Sequence, residues 1–231
     1  MKIIGAMAAM SLLTWGQDAV PKVVLKVIPL KYVSPSSIYK VVSAFQPSSM
    51  QYDDSLHVIS VRGNAEMVAA IEEAVRKLDV LPADFELTVY LISSAPQTGD
   101  LLPDALASTA KQLHGVFAYK GYQLIDSFVL RGRDGQGGSA DGTIKSSTYS
   151  FRYNRATVMD GTPKMVNLQN LNLQIRMPSG ARNEKGQPEY KTTGVSTDID
   201  IRDGQKVVVG KSDVNNGESP LILVVTAKVV E

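Results

Sequence analysis

The stretch from Val23 to Val80 constrains the fold more than any other part of the chain, because it reads strand, helix, strand, strand, helix in unbroken succession. The opening strand is VVLKVIPLKYV, Val23 to Val33. Ser34-Pro35 then starts a helix, since serine is a favoured N-cap and proline at the first helical position loses only an N–H without a helical partner. Ile38, Val41, Val42 and Phe45 follow at i, i+3, i+4 and i+7, which builds one apolar stripe. A hairpin spans MQYDDSLHVISVRGN, Met50 to Asn64, and AEMVAAIEEAVRKLDV, Ala65 to Val80, closes the unit. In this second helix Met67, Ile71, Ala74, Val75 and Leu78 share a face. Glu66 lies in its first turn and Arg76-Lys77 in its last, both favourable to the helix dipole. Two helices on one face of a three-stranded sheet make a βαββα module of the α+β class.

The wording of this module resembles the small periplasmic N-terminal repeats of secretins, the ring-forming outer-membrane channels of type II secretion and type IV pili. The resemblance rests on IPLKY (Ile28 to Tyr32), on VISVRGN (Val58 to Asn64) and on the helix ending LDV (Leu78 to Val80). DFELTVYLISSA, Asp84 to Ala95, stands where a secretin begins its core domain. TGVSTDIDIRDGQKVVVGKSDVN, Thr193 to Asn215, followed by SPLILVVTAKVV, is similar to the end of that core. Here Gly210 is followed by Lys211 rather than a second glycine, and TAKVV lacks the family's proline. The resemblance covers roughly 23–95 and 190–231 and leaves the channel-lining segment unmatched. It implies modules packed side by side, hence assembly rather than chemistry, with no cofactor. The implied partners are the chain itself, a secretin-type ring or other envelope proteins. Glu72, Glu73, Arg76 and Lys77 would supply polar contacts at the rim of such an interface.

Met1-Lys2 followed by the uncharged run Ile3 to Trp15, with small residues near Gly16 and Ala19, reads as a secretory signal peptide over residues 1–19. The run is too short for a stable membrane span, and no later run approaches that length. The chain is therefore expected to be exported, periplasmic and associated with the outer membrane, with no transmembrane helix after cleavage. With no cysteine, it is expected to be neither a lipoprotein nor a disulfide-stapled domain, so stability rests on hydrophobic cores. Lys plus Arg is 24 against 23 for Asp plus Glu, so no net field gathers nucleic acid or anionic lipid. The βαββα order also serves RNA-binding KH domains, but those need a Gly-x-x-Gly clamp, and Gly63 is the only glycine between Val20 and Val80.

Pro82 marks a linker, so residues 20–80 form the first domain and 84–231 the second. The second opens with a strand whose Phe85, Leu87, Val89 and Leu91 face one way. A helix over Pro103 to His114 follows, with Ala105, Leu106, Ala110 and Leu113 inward and Gly115 as its stop, then a strand from Tyr119 to Leu130. Beyond Arg131 the chain is β-rich, with Asp-Gly pairs at 134, 141, 160 and 203 and Asn216-Gly217 read as tight turns. Strands are expected over Thr148 to Val158, Lys164 to Met177, Tyr190 to Ile201, Lys206 to Gly210 and Pro220 to Val230, forming a mainly antiparallel sheet or sandwich. The echoes RDGQ (Arg133 to Gln136, Arg202 to Gln205) and DGT-x-K (Asp141 to Lys145, Asp160 to Lys164) read as repeated turn chemistry rather than a duplicated domain. Tyr149, Phe151 and Tyr153 form an aromatic patch on one face of a strand, either packing into the sandwich or meeting a membrane or partner.

Nothing in the sequence favours an enzyme. The two histidines fall in different domains, His57 in a strand and His114 at a helix end, and neither has a metal-ligand partner at suitable spacing. There is no Gly-x-Ser-x-Gly elbow. Asp53-Asp54 and Glu72-Glu73 read as solvated turn and helix surface. The glycine-rich stretch Gly132 to Gly142 lacks a following helix and reads as a hairpin tip rather than a phosphate cradle. The expectation is a non-catalytic exported protein acting in an envelope secretion or pilus-type assembly. The alternative is a periplasmic ligand-binding or hydrolytic protein with a pocket between its two domains.

Overall fold

The computed structural model describes residues 23–182, 186–214 and 219–230. The signal-peptide expectation for residues 1–19 and the Asn216-Gly217 turn lie outside the described residues. The fold divides into two compact units between Leu81 and Pro82.

The first unit contains β1 (Val23–Pro29), α1 (Pro35–Val42), β2 (Ser49–Asp53), β3 (Val58–Asn64) and α2 (Ala65–Leu78). The strands form an antiparallel sheet in the order β1-β3-β2, so β3 is central. Ile59 and Val61 of β3 turn to the helices and pack with Ile38 and Val42 of α1 and Val68, Ile71 and Val75 of α2. The stripe of α1 is narrower than its periodicity suggests. Val41 is exposed within the helix, and Phe45 is exposed because the helix ends at Val42 and a 3₁₀ turn over Ser43–Phe45 rotates it off the stripe. In α2, Val68 takes a core place, whereas Leu78 is exposed at the end of the helix. Asn64 caps α2, its side chain accepting the Met67 N–H at 2.7 Å.

Three local readings change. Ser34 stands at the N-cap of α1, but its hydroxyl donates to the Ser37 hydroxyl and caps no backbone group. Asp54, from the β2–β3 turn, accepts the Ser36 N–H instead, at 3.0 Å. Asp53 accepts the N–H groups of Ser55 and Leu56, so this acidic pair builds the turn and caps a helix rather than merely facing water. His57 lies in the turn rather than in a strand, at φ 52°, and its carbonyl accepts the Leu30 N–H.

The second unit runs β4 (Asp84–Ser94), α3 (Ala107–Val116), β5 (Tyr122–Arg133), β6 (Gly138–Ile144), β7 (Ser147–Tyr153), β8 (Arg155–Met159), β9 (Met165–Arg182), β10 (Pro188–Arg202), β11 (Lys206–Val214) and β12 (Ser219–Val230). They form two antiparallel sheets, β11-β12-β4-β5 and β10-β9-β7-β6, with β8 also paired to β9. A core that includes Phe85, Leu87, Val89 and Leu91 from the first sheet and Leu168, Leu171 and Leu173 from the second joins them. Ordinary alternation points Ile92 to the face opposite Leu91, where Leu106 and Leu113 cover it, and the bulge at this point places the extra residue Ile125 on β5. A 3₁₀ turn over Asp104–Leu106 precedes α3 and leaves Ala105 exposed, and the helix runs past Gly115 to Val116.

The glycine-rich stretch is not a loose tip. Only Asp134–Gln136 makes its turn, and Gly138–Ile144 is the regular strand β6. Asp141-Gly142 therefore sits within a strand. A Cβ on Gly138 would stand 2.5 Å from the Tyr153 hydroxyl oxygen, and one on Gly142 2.3 Å from the Tyr149 ring. Both positions need a bare backbone because a tyrosine on the paired strand lies across it.

Candidate assembly surfaces

Each end of the first module carries side chains with no cover inside the module. Alternation along β1 sends Ile28 inward and leaves Val23, Leu25 and Val27 on the opposite face, 55%, 68% and 57% exposed. Their cross-strand neighbours on β3 are Asn64, Arg62 and Ser60, so the apolar row is confined to the β1 edge. Near the other edge, Tyr39 of α1 meets Tyr52 of β2 with ring centroids 5.0 Å apart, and Tyr52 stays half exposed. Exposed single apolar residues are ordinary, but a row of three on one edge strand is a surface that lacks a partner.

The four charged residues expected at an interface rim sit together on the C-terminal half of α2. Glu72 reaches across to Lys26 of β1, and the Lys26 hydrogen bond holds its carboxyl below the usual glutamate value. Glu73 pairs with Arg76 at 2.8 Å and with Lys77 at 3.6 Å on the same helix. These are exposed pairs of small intrinsic worth, so exchanging them for contacts with another protein carries little penalty.

The motif residues of this module meet in space at Asp79. Its carboxylate accepts the backbone N–H groups of Lys31 at 2.7 Å, Tyr32 at 2.9 Å and Val33 at 3.0 Å. Burial opposes the charged form, yet the three donors prevail and the pKa falls below its ordinary 3.8. The aspartate of LDV thus fastens the LKYV turn, far away in sequence, which ends β1 at Pro29 and positions α1. Neither segment alone indicates this contact.

In the second unit, Tyr149, Phe151 and Tyr153 lie in the sandwich core, 7%, 0% and 2% exposed, not on a surface. Phe128 stacks on Tyr149 with centroids 5.6 Å apart, and the Tyr149 hydroxyl donates to Asp126 at 2.9 Å. Burial, with Asp126 in support, pushes the Tyr149 pKa up to about 12. His114 stands 3.0 Å from both oxygens of Asp100, which also accepts the Tyr122 N–H, so the pair ties the end of α3 to the start of β5. A groove of about 520 Å³ runs over the outer face of the second sheet beside Ser150, Gln174, Arg176 and Thr192. Among the described residues no three acidic, histidine or cysteine side chains gather as a metal site. No helix there is long and apolar enough to cross a membrane.

The module over residues 25–83 matches the family model Secretin_N, described as the bacterial type II/III secretion system short domain. The match is confined to residues 25–83 and leaves most of the chain outside it. Beyond that module the likeness is one of fold. The type II secretion system secretin GspD of E. coli K12 aligns with a TM-score of 0.59 at 10% identity, over 90% of this chain and 63% of that one. The V. cholerae type IV competence pilus secretin PilQ gives 0.60 at 12%, over 93% and 79%. The Salmonella SPI-1 type III injectisome secretin InvG gives 0.58 at 12%, over 92% and 88%. The chain thus spans less than two thirds of the GspD chain that it matches. No curated protein sequence matches it. These alignments run through the middle of the chain as well as the matched module, so the second unit shares the secretin fold where sequence wording fell silent.

Proposed function

We propose that this protein is a non-catalytic, exported component of an envelope secretion or pilus-type assembly, and that its first module makes ring-building contacts with further copies or with a secretin ring. The observation that carries this reading is the uncovered row Val23, Leu25 and Val27. It lies at the β1 edge, whereas Tyr39 and Tyr52 lie near the β2 edge, at opposite ends of the sheet order β1-β3-β2. Head-to-tail contacts need two different surfaces on opposite sides of one protomer, and repeated rotation closes them into a ring. Full burial of a Val or Leu side chain contributes about 1.5–3 kcal/mol, so this half-covered row offers a useful fraction of that at each contact. The charged residues of α2 would form its polar rim. The signal-peptide pattern of residues 1–19 supports a periplasmic location, and likeness to secretins supports association with the outer membrane.

Light scattering of the mature chain across a concentration series tests this. Mass is expected to rise to a discrete oligomer. Leu25→Lys should abolish that rise and Arg76→Glu should weaken it, both with unchanged far-UV circular dichroism. A strictly monomeric protein that also binds no envelope protein contradicts the proposal.

A further inference from the structure

We infer that the second unit is an internal duplication, two interlocked copies of one four-strand repeat over residues 84–159 and 165–230, each closed by its own RDGQ lock. Matching β4 with β9, β5 with β10, β6 with β11 and β7–β8 with β12 turns the sheet β11-β12-β4-β5 into β6-β7/β8-β9-β10. That is the other sheet read in reverse. Each sheet therefore combines the first hairpin of one repeat with the second hairpin of the other.

Register supports the match. Phe85 pairs with Val229 and Leu87 with Ala227, as Val166 pairs with Val158 and Leu168 with Ala156. Further along, Leu91 pairs with Leu223 as Leu173 pairs with Phe151. Asp84 lies opposite Val230 as Met165 lies opposite Met159.

The locks agree bond by bond. In the first, Gly135 has φ 81°, its N–H donates to the Ala156 carbonyl at 2.8 Å, and Asp134 accepts the Val158 N–H at 2.9 Å. In the second, Gly204 has φ 74°, its N–H donates to the Ala227 carbonyl at 2.8 Å, and Asp203 accepts the Val229 N–H at 2.8 Å. The Asp134 N–H donates to Ala83, the residue before β4, and the Asp203 N–H to Lys164, the residue before β9. Two turns that merely share turn chemistry have no reason to grip the closing Ala-x-Val strand of their own repeat through the same donors and acceptors. The RDGQ echo is thus more than the turn chemistry that the sequence suggested. The DGT-x-K echo is not, since Asp141–Lys145 belongs to β6 and its turn while Asp160–Lys164 joins the repeats.

The duplication also explains α3. Where β9 and β10 continue as a bare hairpin, the first repeat inserts residues 95–121 with α3 between β4 and β5. On the outer face of the first sheet, Ile92 pairs with Ile222 and Tyr90 with Val224, and this apolar surface packs with Leu106 and Leu113. The matching pairs in the other sheet are Gln174 with Ser150 and Asn172 with Arg152, a polar surface that water can cover. The helix is present on the one sheet that needs it.

Two measurements on the full chain test this. The first exchanges the order of the repeats, as residues 1–83, 165–230, 160–164 and 84–159 in succession, so that Lys164 precedes Asp84 and Ala83 precedes Met165. The same circular dichroism and amide protection are expected. The second compares Asp134→Ala with Asp203→Ala by thermal unfolding and hydrogen exchange. Each should lower the transition by the same few degrees and loosen both sheets, because each sheet holds hairpins of both repeats. A folded exchanged chain, or equal effects of the two aspartate variants, sustains the duplication. An exchanged chain unfolded over 84–230, together with unequal or purely local effects of the two substitutions, overturns it.

Discussion

Asp79 shows how one side chain can organise a module. Three backbone N–H groups of the turn after β1 converge on it, and their alternative partner is water. Replacement by alanine is expected to destabilise the first unit by about 1–2 kcal/mol, a figure discounted for the solvent that reaches the site. The sign of the pH dependence follows from its lowered pKa. The folded form binds this proton more weakly than the unfolded chain, so the contribution is complete above about pH 4 and is lost as pH falls through the folded value. Urea unfolding at pH 7 and pH 3 checks both points: the wild type should lose stability on acidification, and Asp79→Ala should lose less. Acid sensitivity that is the same in both proteins would assign the loss to other carboxylates.

At the scale of elements, the hairpin β6–β7 depends on glycine and tyrosine facing one another. A Cβ at residue 142 would lie within the contact distance of the Tyr149 ring, which is fixed by Phe128 on one side and Asp126 at its hydroxyl. Gly142→Ala is expected to displace that ring and destabilise the second unit by about 1–3 kcal/mol, the usual range for overpacking. Because the Tyr149 pKa is raised to about 12, the fold favours its neutral form. That preference is lost as pH rises from the ordinary 10 through the folded value. Ultraviolet titration should show Tyr149 among the late-ionising tyrosines, beside Tyr122 and Tyr153 whose burial also raises them, and in Gly142→Ala the Tyr149 component should return toward 10. A titration unchanged by the substitution would mean that the ring had not moved.

At the scale of the whole molecule, each unit has its own core. Ile71 and Phe151 are both fully buried, one in each. Alanine at either position removes about 2–5 kcal/mol from the core it belongs to. Hydrogen exchange is expected to show lost protection over 23–81 for Ile71→Ala and over 84–230 for Phe151→Ala, each sparing the other unit. Protection lost throughout in both variants would show a single cooperative molecule.

The sequence by itself determined the elements whose signals are local. The period of α2, the alternation along β4 and the turn chemistry of Asp203-Gly204 all act over a few residues, and each can be read from its neighbours. The wording of IPLKY, VISVRGN and LDV further pointed to secretin repeats. Only the tertiary structure decided which residues use their chemistry on distant partners. Asp79 meets a turn formed by Lys31–Val33, Asp54 caps a helix that precedes it, and each RDGQ turn grips an Ala-x-Val strand further along the chain. Such contacts depend on which chain segments become neighbours after packing, and hydrophobic periodicity carries face but not partner. The exposure of Val41 and the burial of Tyr149 have the same origin. An apolar residue is core or surface according to what lies over it, and that is a property of the assembled sheets rather than of the strand or helix alone.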